Sequence, residues 1–399
     1  MPKHLKILVN DHAGHPFPTQ LSRALAARGH HVLHTYCGKL QGPRGELARL
    51  PQDPPGLRIQ AIDLGKPFNK YGLFSRALQE RNLGRMLRET ARAFNPEVVI
   101  SANTPLGVQA ALLKECRKSG ARFIFWLQDL LGVGIRNNVE KKIPLVGKPV
   151  GWLYIGLERC LLRKSDAVIA ITEDFIPIVS NAGVAAEKIH VVHNWAPMGD
   201  IPCLPKSNSW SRKHRIHDKF CFVYTGTLGM KHNPGMLVEL ARAMATETDV
   251  RVVVVTEGLG AEFLHEQKER HRLDNLIILP FQPFGEMPSV LASADVLIAL
   301  LEPDAGAFAV PSKVLTYLCG GRPLLLAVPA ENLAARTVME ARAGIVVHPS
   351  DTEAFLVAAR ELFHSPDIRA TMGENGRKYA ESKFDVDRIA TRFEGILAG

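Results

Sequence analysis

The 399-residue chain lacks most of the short signatures that name an enzyme class outright. Its six cysteines (Cys37, Cys116, Cys160, Cys203, Cys221 and Cys319) are scattered, with no CxxC pair, so neither a zinc ribbon nor a disulfide framework is indicated. Reduced, mostly buried thiols in a cytoplasmic protein are expected. No run of about 18 uninterrupted apolar residues occurs, which argues against a spanning helix. The nearest candidate, residues 143–162, is broken by Lys148, Glu158 and Arg159. Residues 1–10 lack the long apolar core of a signal peptide and read as a short tail entering a strand. GxxxxGK[ST] and GxSxG are both missing, and His265-Glu266 followed by His271 does not have zincin spacing. The Glu257–Phe263 loop fails as a dinucleotide fingerprint, because Phe263 stands where the third glycine belongs, and reads as a structural turn. No low-complexity tract or short repeat is present.

What remains is an ordinary globular mixture: 46% hydrophobic and 22% charged residues, with mean hydropathy −0.01. That composition excludes disorder and collagen-like structure. The length exceeds one compact core and predicts two domains of roughly 200 residues each. Charge divides along the same line. Residues 1–197 hold 27 Lys and Arg against 15 Asp and Glu, net +12, whereas the remainder nets −3.

Short β-branched runs alternate with helical patterns throughout. Strand candidates in the first half are 5–9, 31–37, 57–62, 98–101, 121–127, 167–171 and 189–193. In the second half they are 220–225, 250–256, 276–279, 296–300, 323–327 and 344–347. Between them lie helical stretches such as 18–28, 73–94, 105–119 and 234–245, and 368–397 reads as two helices. This alternation predicts an α/β fold of two Rossmann-like domains with parallel sheets facing across a cleft. The expected divisions are residues 1–196, a Pro-, Ser- and Asn-rich linker at 197–217, a second domain at 218–382 and a C-terminal helix at 383–399.

Ligands of such sheets sit beyond the carboxyl ends of the strands. In the first half, the turn at 10–18 offers Gly14 and His15 ahead of a helix N-terminus, and Asp129 ends the apolar strand at 121–127. Asp129 also suits a plain capping role. In the second half, Tyr224-Thr225-Gly226-Thr227-Leu228-Gly229-Met230-Lys231 follows a strand, with glycines, a hydroxyl and a lysine suited to a diphosphate. Pro311-Ser312-Lys313 starts a helix, and a lysine at the positive end of a helix dipole is unhelpful unless an anion sits there.

Taken in order, these segments resemble the GT-B glycosyltransferases, specifically the retaining family-four group that includes colanic-acid and capsule sugar transferases. The resemblance rests on residues 24–32, Gln128-Asp129-Leu130, His193-Asn194-Trp195, the loop 224–229 and 311–323. It implies a nucleotide-sugar donor bound mainly by the second domain and a glycan or polyprenyl-diphosphate-linked acceptor bound mainly by the first. It also implies surface-polysaccharide assembly, with no cofactor or metal required. By the same resemblance Lys231, with the amides of Ser312 and Lys313, would neutralise the diphosphate. Phe281 and Gln282 would meet the base, and Asp129 would face the donor sugar. The family's two glutamates, eight positions apart, fall at Phe308 and Thr316 here, so sugar recognition would pass to Glu302 or Asp304, with Thr316 reaching a ribose hydroxyl. A family arginine is replaced by Thr227. A sugar-nucleotide epimerase and a non-catalytic nucleotide- or glycan-binding subunit are the rival readings.

The basic excess gathers in 66–92 (Lys66, Lys70, Arg76, Arg81, Arg85, Arg88, Arg92) and in 136–164, where Arg136, Lys141, Lys142, Lys148, Arg159, Arg163 and Lys164 flank Trp152-Leu153-Tyr154-Ile155. Cations beside apolar residues suit an anionic membrane surface, and equally a solvated helix face over a core. No nucleic-acid motif accompanies them.

Overall fold

The computed structural model describes residues 4–40, 44–65, 73–142, 144–302 and 312–399, without the side chains of 73–75, 138, 141–142, 144–146 and 231. The chain forms two compact units, Met1–Asn194 with Val386–Gly399, and Trp195–Asp385.

The first unit is a seven-stranded sheet of β1 (Lys6–Asp11), β2 (His31–Cys37), β3 (Leu57–Ile62), β4 (Val98–Ala102), β5 (Arg122–Leu127), β6 (Ala167–Ala170) and β7 (Ile189–Val191). Its order is β3-β2-β1-β4-β5-β6-β7, parallel throughout. Helices α1 (Pro16–Ala27), α2 (Leu73–Phe94), α3 (Leu106–Ser119), α4 (Leu131–Lys142), α5 (Pro144–Lys164) and α6 (Ile176–Asn181) belong to it. The central strands are apolar on both faces, as a doubly covered parallel sheet requires, and β4 is buried along its whole length.

The second unit repeats the plan with β8 (Phe220–Thr225), β9 (Val250–Val255), β10 (Leu276–Leu279), β11 (Val296–Leu300), β12 (Leu324–Ala327) and β13 (Gly344–Val347), in the parallel order β10-β9-β8-β11-β12-β13. Its helices are α7 (Ser209–Lys213), α8 (Gly235–Ala243), α9 (Leu259–His271), α10 (Met287–Ala292), α11 (Lys313–Cys319), α12 (Leu333–Ala341), α13 (Thr352–His364) and α14 (Pro366–Lys383). One core runs from Phe222, Tyr224 and Val250, Val252 and Val254 of β9 to Leu237 and Phe355.

Two boundaries differ from the sequence expectation. Residues 197–217 are no free linker but part of the second unit. Asn208 and Ser211 cap α7 reciprocally, and Ile201, Trp210 and Ile216 are buried. Burial at about 1.5–3 kcal/mol per large apolar side chain holds such a segment down despite its prolines. Helix α15 (Val386–Ala398), expected as a separate C-terminal piece from 383, returns to the first unit. Phe393 packs edge-on to Trp126 of β5 at 5.0 Å, and Glu394 pairs with Arg28 at 2.6 Å and with His30 at 3.1 Å. Among the described residues no helix is long and apolar enough to cross a membrane. All six cysteines are free; four are buried, Cys160 is half-buried and Cys203 is exposed.

Candidate functional site

In a parallel sheet the strand order reverses direction at one point, where the two flanking loops part and leave room for a ligand. The reversal lies between β1 and β4 in the first unit and between β8 and β11 in the second.

At the first reversal Asp11, the last residue of β1, is completely buried. Its carboxylate accepts from Asn103 Nδ2 at 3.0 Å and from the His15 amide, with the His15 ring 3.9 Å away. Burial pushes the Asp11 carboxyl above the usual carboxylate range, against the pull of His15 and these donors. The carboxylate thus ties the loop after β1, which carries Gly14 and His15, to the loop after β4. Gly14 in turn accepts from the Gly45 amide at 3.0 Å. Gly14 and His15 are the candidates expected at this turn; Asp11 and Asn103 join them only through the fold. A carboxylate closing the first strand was the available signal.

Beside this, β5 ends in buried Gln128 and exposed Asp129. Gln128 Oε1 accepts from Asn194 Nδ2 at 2.7 Å, which joins the two resemblance segments 128–130 and 193–195. Beneath Asp129 lies Glu158 of α5, whose Oε2 accepts from the Gly132 amide at 3.2 Å in the first turn of α4. Burial, assisted by Asp129, pushes the Glu158 carboxyl up to about 7, although the Gly132 and Leu131 amides favour its charged form.

At the second reversal β8 delivers Thr225 and Gly226. The φ of +112° at Gly226 lies outside the range of residues with a Cβ, and its Cα faces Lys313. A Cβ built there would stand 3.4 Å from Lys313 Cε and Nζ. The Lys313 ammonium also lies 3.7 Å from the ring centre of Tyr224. Tyr317, one turn along α11, accepts from the Thr225 amide at 2.9 Å and donates to the Thr225 carbonyl at 3.1 Å. So the glycine loop and the start of α11 meet at one cation. Burial pulls the Lys313 pKa down to about 7, with no carboxylate among the described residues offsetting it. A dianionic group placed there would restore the charge.

Next to β8, the ends of β9 and β10 border an open pocket of about 250 Å³ lined by Thr256, Glu257, Gly258, Ala261, Glu262, His265 and Pro280, among others. The Phe281 amide donates to Glu257 Oε1 at 3.1 Å. The Gln282 side chain is already spent: Oε1 accepts from Trp210 Nε1 at 3.0 Å and Nε2 donates to the Pro280 carbonyl at 2.8 Å. The resemblance places Gln282 at the base; in the structure its side chain anchors α7 through Trp210, and its backbone borders the same loop as Phe281. Thr227 is exposed, and its carbonyl accepts from the Tyr224 hydroxyl at 2.8 Å. Ser312 is exposed and makes no side-chain cap, while Thr316 and Glu302 are half-buried. Lys231 lies in the short 3-10 turn Met230–His232, with its side chain outside the described atoms; Asp304 and Phe308 lie outside the described residues altogether. Residues 257–263, expected as a structural turn, form the loop after β9 and the first turn of α9, and Glu257, Gly258, Ala261 and Glu262 line this pocket. A Cβ at Gly260 would stand 2.0 Å from the Leu228 carbonyl.

Comparison with known proteins agrees with this arrangement. Residues 15–195 match the family described as Glycosyl transferase 4-like domain, and residues 206–379 match Glycosyl transferases group 1. EpsD of Bacillus subtilis (strain 168), provisionally named a glycosyltransferase, is 23% identical over 309 residues, covering 74% of this chain and 75% of its own. Among solved structures, HepE of Anabaena in complex with UDP-glucose aligns at TM-score 0.69 and 16% identity, over 99% of this chain and 100% of its own. Sucrose-phosphate synthase of Thermosynechococcus elongatus aligns at TM-score 0.73 and 14% identity, over 98% of each chain. With both domains matched in order and both sheets in the expected topology, the chain is a glycosyltransferase of GT-B fold, a glycosyl transferase 4-like domain followed by a group 1 domain.

Proposed function

We propose that this glycosyltransferase moves a hexose from a nucleoside-diphosphate sugar to a glycan or polyprenyl-diphosphate-linked glycan acceptor in surface-polysaccharide assembly, with retention at the anomeric carbon. One observation carries the donor reading: a half-buried lysine without a carboxylate partner among the described residues, its ammonium held against a glycine loop at the strand reversal of the second unit. That arrangement is costly without a ligand and favourable with a diphosphate against it. The UDP-glucose complex of HepE supports the same chemistry. The pocket at the ends of β9 and β10, next to β8, suits the nucleoside end, with the Phe281 backbone at its rim.

In the proposed reaction the bond from the anomeric carbon to the diphosphate oxygen breaks as the acceptor hydroxyl attacks from the same face. The hydroxyl proton passes to the departing diphosphate. Lys313 and Lys231 offset the charge that develops on that group, a role which asks for no metal ion. Asp129, beyond β5 in the first unit, faces the sugar. Glu302, Asp304 and Thr316 take over the recognition that paired glutamates would otherwise supply.

The test is a panel of UDP-, GDP- and dTDP-sugars offered to the full chain, scoring nucleoside diphosphate release and binding by calorimetry. One donor should bind and turn over only when acceptor is added; turnover without acceptor would mark an epimerase. Lys231→Ala should weaken donor binding at least tenfold, and Asp129→Ala should lower turnover more than affinity. Folded protein that binds no nucleotide sugar would overturn the reading, and binding without turnover would favour the non-catalytic subunit.

A further inference from the structure

The two basic segments of the first unit meet different fates in the structure. On α2, Arg76 pairs with Glu80 at 2.8 Å, and Arg88 and Arg92 both engage Glu115 of α3. Much of that charge is neutralised within the fold. On α5, none of Lys148, Arg159, Arg163 and Lys164 has a carboxylate partner among the described residues, and all four are exposed. The acid that accompanies them in the sequence, Glu158, is turned inward under the first turn of α4. It therefore does not dilute the outer face.

At 100° per residue, Lys148, Arg159, Trp152, Arg163, Gly156, Pro149, Cys160, Leu153 and Lys164 follow one another around about 160° of α5, and all of them but the half-buried Cys160 are exposed. That arc carries four cations, no acid, and two of the most exposed large apolar side chains among the described residues, Trp152 at 58% and Leu153 at 70%. Arg136 of α4, itself paired with Glu140, stands 5.9 Å from the Trp152 ring and buttresses it from the side. A solvated helix face does not spend its largest apolar residues among unpaired cations. An anionic bilayer answers both halves of the pattern, since headgroups take the charge while an indole and a leucine enter the acyl boundary. No described helix can span a membrane, so the contact lies in the plane of the interface.

We infer that the outer face of α5 docks the protein on an anionic lipid surface. The inference concerns where the enzyme sits and is independent of which sugar it transfers, so its test reads binding alone. The full chain is mixed with vesicles of phosphatidylcholine and with vesicles containing 30 mol% phosphatidylglycerol, and co-sedimentation is measured. Trp126, Trp195 and Trp210 are buried, so a change in tryptophan emission on binding reports Trp152. Binding should require phosphatidylglycerol, weaken with salt and shift the emission to the blue. R159Q/R163Q should lower partitioning about thirtyfold. W152S/L153S should abolish the blue shift and weaken binding. R81Q/R85Q, which removes two exposed charges from α2, should change partitioning less than threefold. These are surface positions, and matched melting temperatures confirm that the variants fold. Binding to neither vesicle, equal binding to both, equal loss with R81Q/R85Q, or unchanged Trp152 emission would each overturn the inference. So would a solution dimer lost in W152S/L153S, which would assign the face to a second copy.

Discussion

The Tyr317 hydroxyl clamps Thr225 by both of its backbone groups, accepting from the amide at 2.9 Å and donating to the carbonyl at 3.1 Å. A single side chain on α11 thereby fixes the end of β8, and with it the spacing between Gly226 and Lys313. All the partners are buried, so the contact is insensitive to solvent and intolerant of loss.

Tyr317→Phe keeps the ring and removes the clamp. Stranding a buried amide and carbonyl costs about 1–3 kcal/mol, read as a lower urea midpoint. Donor affinity should fall with it, by about tenfold, because Lys313 loses its register. Unchanged affinity in a destabilised variant would show that the clamp serves stability alone.

Donor binding should depend on pH through Lys313. Its free-state pKa, near 7, lies far below the usual lysine value, so at pH 8 roughly nine in ten molecules carry a neutral amine. A bound diphosphate favours the ammonium, so binding takes up a proton. Affinity should be flat below about pH 6 and fall about tenfold per unit above 7. Calorimetry at pH 8 in two buffers of different ionisation enthalpy measures the uptake, and Lys313→Gln should abolish it.

Glu158→Gln should stabilise the protein at neutral to basic pH. The folded-state pKa, about 7, lies above the unfolded value, so the native carboxyl prefers its proton. That preference contributes in full below about pH 4.5 and is lost as pH rises through 7. The amide retains an oxygen for the Gly132 N–H and carries no charge to bury. Urea unfolding should show equal stability near pH 4.5 and a gain of at most about 3 kcal/mol at pH 8.

Gly260→Ala places a methyl where the Leu228 carbonyl stands, 2.0 Å away, so α9 and the loop after β8 must separate. Overpacking of this kind costs about 1–3 kcal/mol. The variant should melt lower and bind donor more weakly although Gly260 makes no ligand contact. Wild-type donor affinity in the destabilised variant would mean that loop position does not govern binding.

The thirteen strands among the described residues were legible as short runs, the central ones because a strand covered on both faces must be apolar along its length, the edge strand β3 by its β-branched alternation. Lys313 stood out as a candidate, since a lysine at the positive end of a helix is an electrostatic conflict visible from local order, but its place against Gly226 and Tyr224 was not legible. Asp11 and Glu158 did not stand out. Each looks like an ordinary surface acid in the sequence, and only packing buries one between two loops and turns the other under α4. The surroundings of Gln282 were hidden as well: the resemblance places it at the base, and only the fold brings the Trp210 indole, 72 residues away, to its side-chain oxygen.

By itself the sequence determined that this chain makes two parallel α/β units and that the first carries the positive charge. Those properties follow from local apolar periodicity and from counting. Which cation stands at the strand reversal, which basic segment keeps its charge and which acid turns inward were decided only by the tertiary structure. Burial and pairing depend on neighbours far away in the chain, and a charge acts on a partner only as strongly as its surroundings let it.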